Sequence, residues 1–212
     1  MVKVETSIMT PSNIHSFETL EQLEKWLEAN HQTETELWVR MFKKETGRPT
    51  VTWEDCVIAG ITWGWIDGQR RAFDDVSFIQ RLSPRRAKST WSKRNCDHAE
   101  RLIAEGRMQP SGLAHVEAAR QDGRWEAAYA GSSDMVIPED FLEELENNPA
   151  AKQFFETLNR QNLFVIYYRL QTAKRPETRQ KRMADMLSQL ADGKAFHESA
   201  QRTKDKNKLP GR

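Results

Sequence analysis

The chain is predicted to fold as an α+β protein, an antiparallel sheet covered by helices, followed by a C-terminal helical module. Apolar and aromatic runs at 37–42, 63–71 and 76–83 are short, bounded by turn residues, and read as strands. Apolar stripes at helical spacing flank them, and from Pro138 to Gly193 helical periodicity dominates. Strands gathered early and helices gathered late point to α+β rather than to alternating βα units.

Taken in order, Thr19 with Gln22 is a capping-box start, after which Leu20, Leu23, Trp26 and Leu27 recur at helical spacing until Asn30-His31. Leu37 to Phe42 is the first strand. Thr52 caps a second helix with Asp55 at the reciprocal position, and Val57, Ile58 and Ile61 face inward. Trp63–Arg71 and Val76–Ser83 are predicted to pair as a hairpin through Asp74-Asp75, with Trp63, Trp65 and Asp67 on one face. Pro84, which cannot donate to a ladder, ends the second of these strands. Ser92 caps a helix that runs to Gly106, and another runs from about Gly112 to Asp122 before Gly123.

Gly131-Ser132-Ser133-Asp134 is the best internal boundary. Beyond it, Pro138 sits at a first helical position, Asn147-Asn148-Pro149 breaks that helix, and a second covers Ala151–Leu158. Leu163, Ile166, Tyr167 and Leu170 make a third stripe, and Pro176 opens a fourth helix with Met183, Met186, Leu187 and Leu190. The organisation expected is a leader over 1–13, an α+β domain over 14–133, a helical module over 136–195 packed on it, and a basic tail over 202–212.

At 212 residues, 38% hydrophobic with 7 Trp and 9 Phe, the chain has material for a real core. A net charge of +1 gives no global field toward nucleic acid or membranes, so anion binding must come from a local patch. The N-terminus lacks the apolar core of a signal peptide, and no run approaches the length of a membrane span. A cytoplasmic location with reduced, buried Cys56 and Cys96 is the expectation. Cys96-Asp97-His98 cannot converge on one atom from a helix, the other histidines are scattered, and the fingerprints of serine hydrolases, P-loops and dinucleotide folds are missing. Neither a metal nor a cofactor is expected.

The densest chemistry runs from Trp63 to Asn95, and no acid lies between Asp75 and Asp97 to answer its bases. Trp26-Leu27 with Asn30-His31, Gly64-Trp65-Ile66-Asp67-Gly68, Ser83-Pro84-Arg85-Arg86 and Ser89-x-Trp91-Ser92-x-x-Asn95 resemble the YdeI/OmpD-associated bacterial family. Pro138–Gly193, with Ala173-Lys174-Arg175-Pro176-Glu177-Thr178-Arg179 and Arg182, looks like its C-terminal module, so the resemblance spans about residues 17–193. It implies a role tied to bacteriocin protection, porin association and resistance to antimicrobial peptides. It supplies no catalytic residues.

Two candidate sites follow. Trp65 offers a stacking plane, Asp67 an acceptor, and Arg81 and Arg85 forks for an anion. The competing reading is that Asp67 pairs with an arginine while the tryptophans pack the core. Next to them, Arg86, Ser89, Trp91, Ser92 and Asn95 surround a helix N-terminus suited to an anion, although capping alone accounts for Ser92. The basic start of the last helix (Lys174, Arg175, Arg179, Lys181, Arg182) opposes the helix dipole and calls for an acidic partner.

Three functions remain open. The leading one is a non-enzymatic module binding an anionic small molecule or an acidic protein partner. The second is an interaction protein acting through a basic surface, with nucleic acid disfavoured by the near-neutral charge. The third is an enzyme with Asp67 as general base. A homodimer through the helical module is compatible with each.

Overall fold

The computed structural model describes residues 11–197. The predicted tail over 202–212, and the predicted leader up to residue 10, lie outside them. The chain divides into two compact units, residues up to Ala128 and residues from Tyr129 on.

The first unit holds a four-stranded sheet of β1 (Ile14–Ser16), β2 (Leu37–Phe42), β3 (Trp65–Asp74) and β4 (Ser77–Pro84), in the order β1-β2-β4-β3. The expectation of a purely antiparallel sheet is corrected here. β2–β4 and β3–β4 are antiparallel, but β1 pairs parallel to β2, with Ile14 opposite Trp38. The reason is the crossover: α1 (Leu20–Asn30) lies between the two strands, and a helical return brings the second strand in parallel. Three residues of β1 are too few to display an alternation in sequence.

Local signals set the helix starts. Thr19 accepts from Gln22 N at 3.3 Å, and Gln22 Oε1 reaches back to Glu18 N at 2.8 Å, one residue earlier than a reciprocal box would place it. Thr52 and Asp55 form the full box at the start of α2 (Trp53–Thr62), with bonds of 3.1 and 2.7 Å. Ser92 caps α3 (Lys93–Ala104), and Pro110 opens α4 (Pro110–Gln121).

α2 is the centre of this unit, and every residue from Cys56 to Thr62 is buried. A helix apolar all round must be covered on both sides. Cys56 and Ala59 face the sheet with Leu23 and Leu27 of α1 and Leu37, Val39, Met41, Trp65 and Leu82 of the strands. Val57, Ile58 and Ile61 face away, into Trp91, Cys96, Ala99, Leu102, Met108, Val116 and Ala119. The unit is therefore layered as sheet, α1 with α2, then α3 with α4.

The turn leaving α2 is held on every carbonyl. Thr62 O accepts from Gln109 N (3.1 Å), Trp63 O from Ser111 Oγ (3.0 Å), and Gly64 O from Arg85 N (2.9 Å). Two glycines permit this. Gly64 has φ of +76°, and a Cβ there would stand 2.8 Å from Ser111 O. A Cβ on Gly112 would stand 2.4 Å from Thr62 O and 2.6 Å from Ile61 O. The expectation that Trp63 begins the strand is thus revised: Trp63 closes α2, and the alternation starts at Trp65.

The second unit contains α5 (Glu139–Glu146), α6 (Pro149–Phe155), α7 (Arg160–Gln171) and α8 (Pro176–Ala191). Pro138 and Asn148 stand at the N-cap positions of α5 and α6, so α6 begins two residues earlier than its apolar stripe suggests. Phe141, Leu145, Ala151, Ile166, Leu170, Met186 and Leu190 form its core. Buried Asn162 accepts from Phe196 N (2.9 Å) and His197 N (2.8 Å), which ties the chain beyond α8 to α7.

Of the cations at the start of α8, Arg179 finds the acidic partner that the dipole argument calls for. Arg179 grips Asp140 in the first turn of α5 with both terminal nitrogens. Arg182 donates to Arg169 O (2.7 Å) near the end of α7. Lys174, Arg175 and Lys181 are exposed.

Gly112→Ala should lower stability by about 2 kcal/mol or more, because two backbone oxygens cannot retreat from the new methyl; urea unfolding of the variant checks this. A second expectation concerns pH. The hydrogen bonds from Arg179 hold the Asp140 carboxyl below its ordinary value. Its stabilisation is then present above about pH 4, the unfolded value, and fades as pH falls through the folded one. Asp140→Asn should flatten the loss of melting temperature between neutral and acid pH, and an unchanged profile would contradict it.

Candidate functional site

The sequence-selected residues are not assembled into one hollow. They divide among the sheet core, the loop after β4 and the outer face of the sheet.

Trp65 is 1% exposed, donates to His31 O at 3.2 Å and meets Trp26 edge-on at 6.1 Å. Its plane is closed to solvent. Asp67, partly buried, accepts from Trp53 Nε1 at 3.1 Å, and Arg94 lies over the Trp53 ring at 4.5 Å. Asp67 is therefore bonded to an indole rather than to Arg81 or Arg85.

The loop from Pro84 to Ser92 is a clamp built on buried cations. Arg85 is 4% exposed and lies 3.8 Å from the centre of the Trp91 ring, with Nη1 donating to Thr90 O at 3.2 Å. Trp91 is 2% exposed and leans on Trp125 at 5.0 Å. Arg124, invisible as a site residue in the sequence, is 8% exposed, donates through Nε to both oxygens of Asp122 at 2.7 Å and through Nη1 to Ser89 O at 2.8 Å. Burial, and then the charges of Arg85 and Arg124, hold the His115 imidazole below its usual value. Ser89 thus contributes a carbonyl to the clamp, and Ser92 accepts from Asn95 N at 3.2 Å as a helix cap. Arg86 is exposed, and its carbonyl closes a turn to Ser89 N at 3.0 Å. The long Pro-Arg-Arg-x-x-Ser-x-Trp-Ser string has a packing job that accounts for most of its members.

Arg81 lies elsewhere. Leu82 points into the core, so its neighbour Arg81 points out on the opposite face, directly across from Trp38. Arg81 Nε meets Glu36 at 2.8 Å, and Arg71 stacks on the Trp38 ring at 4.9 Å while its Nε and Nη2 donate to Gln69. With Ser12 and Pro11 these groups line a cavity of about 470 Å³. That size suits a small ligand. Two guanidiniums against one carboxylate leave it positive; the Trp38 ring beneath is only 3% exposed, with Arg71 lying over it. Trp38 was missed in the sequence because Leu37–Phe42 is almost continuously apolar, and Arg71 because it lies at the far end of β3 from the tryptophans that drew the reading. Alternation with Leu37 and Val39 was the signal that could have found Trp38.

Among the described residues, no group of three or more His, Cys, Asp or Glu side chains could hold a metal ion, and no helix is long and apolar enough to cross a membrane. Burial pushes the Cys56 and Cys96 thiols up to about 12, so neither is a ready nucleophile at neutral pH.

Two family models match the chain. Residues 134–193, which contain α5 to α8, match the model described as Bacteriocin-protection, YdeI or OmpD-Associated. Residues 15–115 match one described as a domain of unknown function (DUF8412), and the strings between Gly64 and Asn95 fall within that span. No curated protein and no solved structure matches.

Trp91→Ala should cost about 3 kcal/mol or more, as an excavated core indole does. Arg85→Ala should cost more than about 1 kcal/mol, because it uncovers that ring and removes the bond to Thr90 O. The losses should be less than additive in the double variant, since one residue packs on the other. Urea unfolding of the three variants checks this, and additive losses would contradict the clamp.

Proposed function

We propose that this protein is a binding protein that recognises an anionic small molecule on the outer face of its sheet, in a role related to bacteriocin protection. The C-terminal match supports the second half of the reading, because α5 to α8 carry the YdeI/OmpD-associated segment. The observation that carries the first half is the pairing of Arg71 and Arg81 beside Trp38 in one cavity.

The chemistry suits an anion with a planar portion. A guanidinium stacked on an indole keeps its edge for hydrogen bonds, and its partner across the cavity adds a second fork. Glu36 and Gln69 hold both arginines in place before the ligand arrives, which lowers the ordering cost of binding. Glu36 also sets a threshold: a ligand must offer Arg81 more than the carboxylate already does. A base-catalysed reaction at Asp67 has weaker support, since Trp53 already occupies one oxygen.

The test is a melting-temperature screen against pyrophosphate, nucleotides, sugar phosphates and aromatic carboxylates. A ligand present at about 100 times its Kd stabilises the native form by about 2.7 kcal/mol, a shift easily read. Arg81→Ala and Arg71→Ala should each remove the shift while the unliganded melting point moves little, and added salt should weaken binding. The proposal fails if every anion leaves the melting point unmoved, or if both variants respond as the parent does.

A further inference from the structure

We propose a second binding site, in the hollow between α1 and the turn that leaves α2, for a small molecule of the amino-acid class: an ammonium group next to a carbonyl or carboxylate acceptor. The hollow measures about 290 Å³, and its walls include Glu24 and Glu28 of α1, Thr62, Trp63 and Arg107. It is separate from the cavity on the sheet's outer face, and the inference does not depend on that site.

Two independent observations point to a ligand. The first is a pair of buried polar atoms without hydrogen-bond partners, Thr62 Oγ1 and Trp63 Nε1, on consecutive residues in the wall of one hollow. Thr62 is only 3% exposed. Buried polar groups are nearly always satisfied, so each orphan asks for an explanation. An indole N–H can only donate, and a hydroxyl can donate too, so each asks for an acceptor. The backbone around them cannot shift to supply one, because the carbonyls of Thr62 and Trp63 are held by Gln109 N and Ser111 Oγ.

The second observation is the charge on the opposite wall. Glu21 is paired with Lys25 at 2.9 Å, and Glu24 with Arg107 at 3.0 Å. Glu28, one turn further along the same face of α1, makes no hydrogen bond or ion pair among the described residues, although the charge of Lys25, itself paired with Glu21, acts on it. A carboxylate on that wall, with the half-buried Trp63 indole in the other, favours a cation. Acceptor and ammonium are thus called for across one small hollow. Its volume lies at the bottom of the range of ligand pockets, about 300–1,000 Å³, which limits the guest to a few heavy atoms beyond those two groups.

Titration calorimetry against free amino acids and their amides tests this, with alkyl amines that lack an acceptor and carboxylates that lack an amine as comparators. Binding should require both groups. Thr62→Val and Glu28→Gln should each weaken it by about tenfold or more, whereas Arg81→Ala should leave it unchanged. Without ligand, Thr62→Val should melt at the same temperature or higher, because it deletes an unsatisfied hydroxyl and leaves its shape. A lower melting point would show that the hydroxyl already has a structural partner, and would overturn the inference. So would the absence of heat with every compound at millimolar concentration, or affinities untouched by both substitutions.

Discussion

Three consecutive carbonyls, those of Thr62, Trp63 and Gly64, hold the first unit together at the point where its central helix turns into the sheet. Two are captured at the start of α4, by Gln109 and Ser111, and the third by Arg85 after β4. Because α2 is buried all round, its exit cannot be solvated, and protein groups must take the place of water. That need explains the two glycines against which nothing larger fits, Gly64 and Gly112, and the direction of the loop that begins at Arg85. The clamp of Arg85, Trp91 and Arg124 is the outer part of the same arrangement.

Buried cations in such a clamp are costly unless stacked or paired, and here they are both. Arg85 lies on an indole and Arg124 is gripped by Asp122. Their burial removes them from recognition and leaves the recognition chemistry to the opposite side of the sheet. There Arg71 and Arg81 flank Trp38, whose ring is itself only 3% exposed.

How far the sequence could reach depends on the range of the signal. Thr52 with Asp55, Ser92, Asn147-Asn148-Pro149 and the hairpin around Asp74-Asp75 are local devices, and each acts within a few residues of where it is written. β1 was hidden because its pairing partner is reached only through α1. The fate of the tryptophans was hidden for a different reason: an indole beside arginines reads the same whether it stacks on a ligand or on Arg85. The grouping of Asp67 with Arg81 failed on register, since Asp67 stands opposite Leu82 and therefore faces the helices. The YdeI/OmpD-associated resemblance holds for the C-terminal module, residues 134–193, whereas the strings between Trp26 and Asn95 that were read with it fall in the span matched by the domain of unknown function.

The most direct measurement follows the indole N–H signals of Trp38, Trp65 and Trp91, assigned by single Phe substitutions, while pyrophosphate or a nucleotide is titrated in. The account predicts that Trp38 moves with a saturating curve and that Trp65 and Trp91 stay where they are. Movement of Trp91 or Trp65 with Trp38 unchanged would place anion recognition back in the loop after β4 and contradict the division of faces described above.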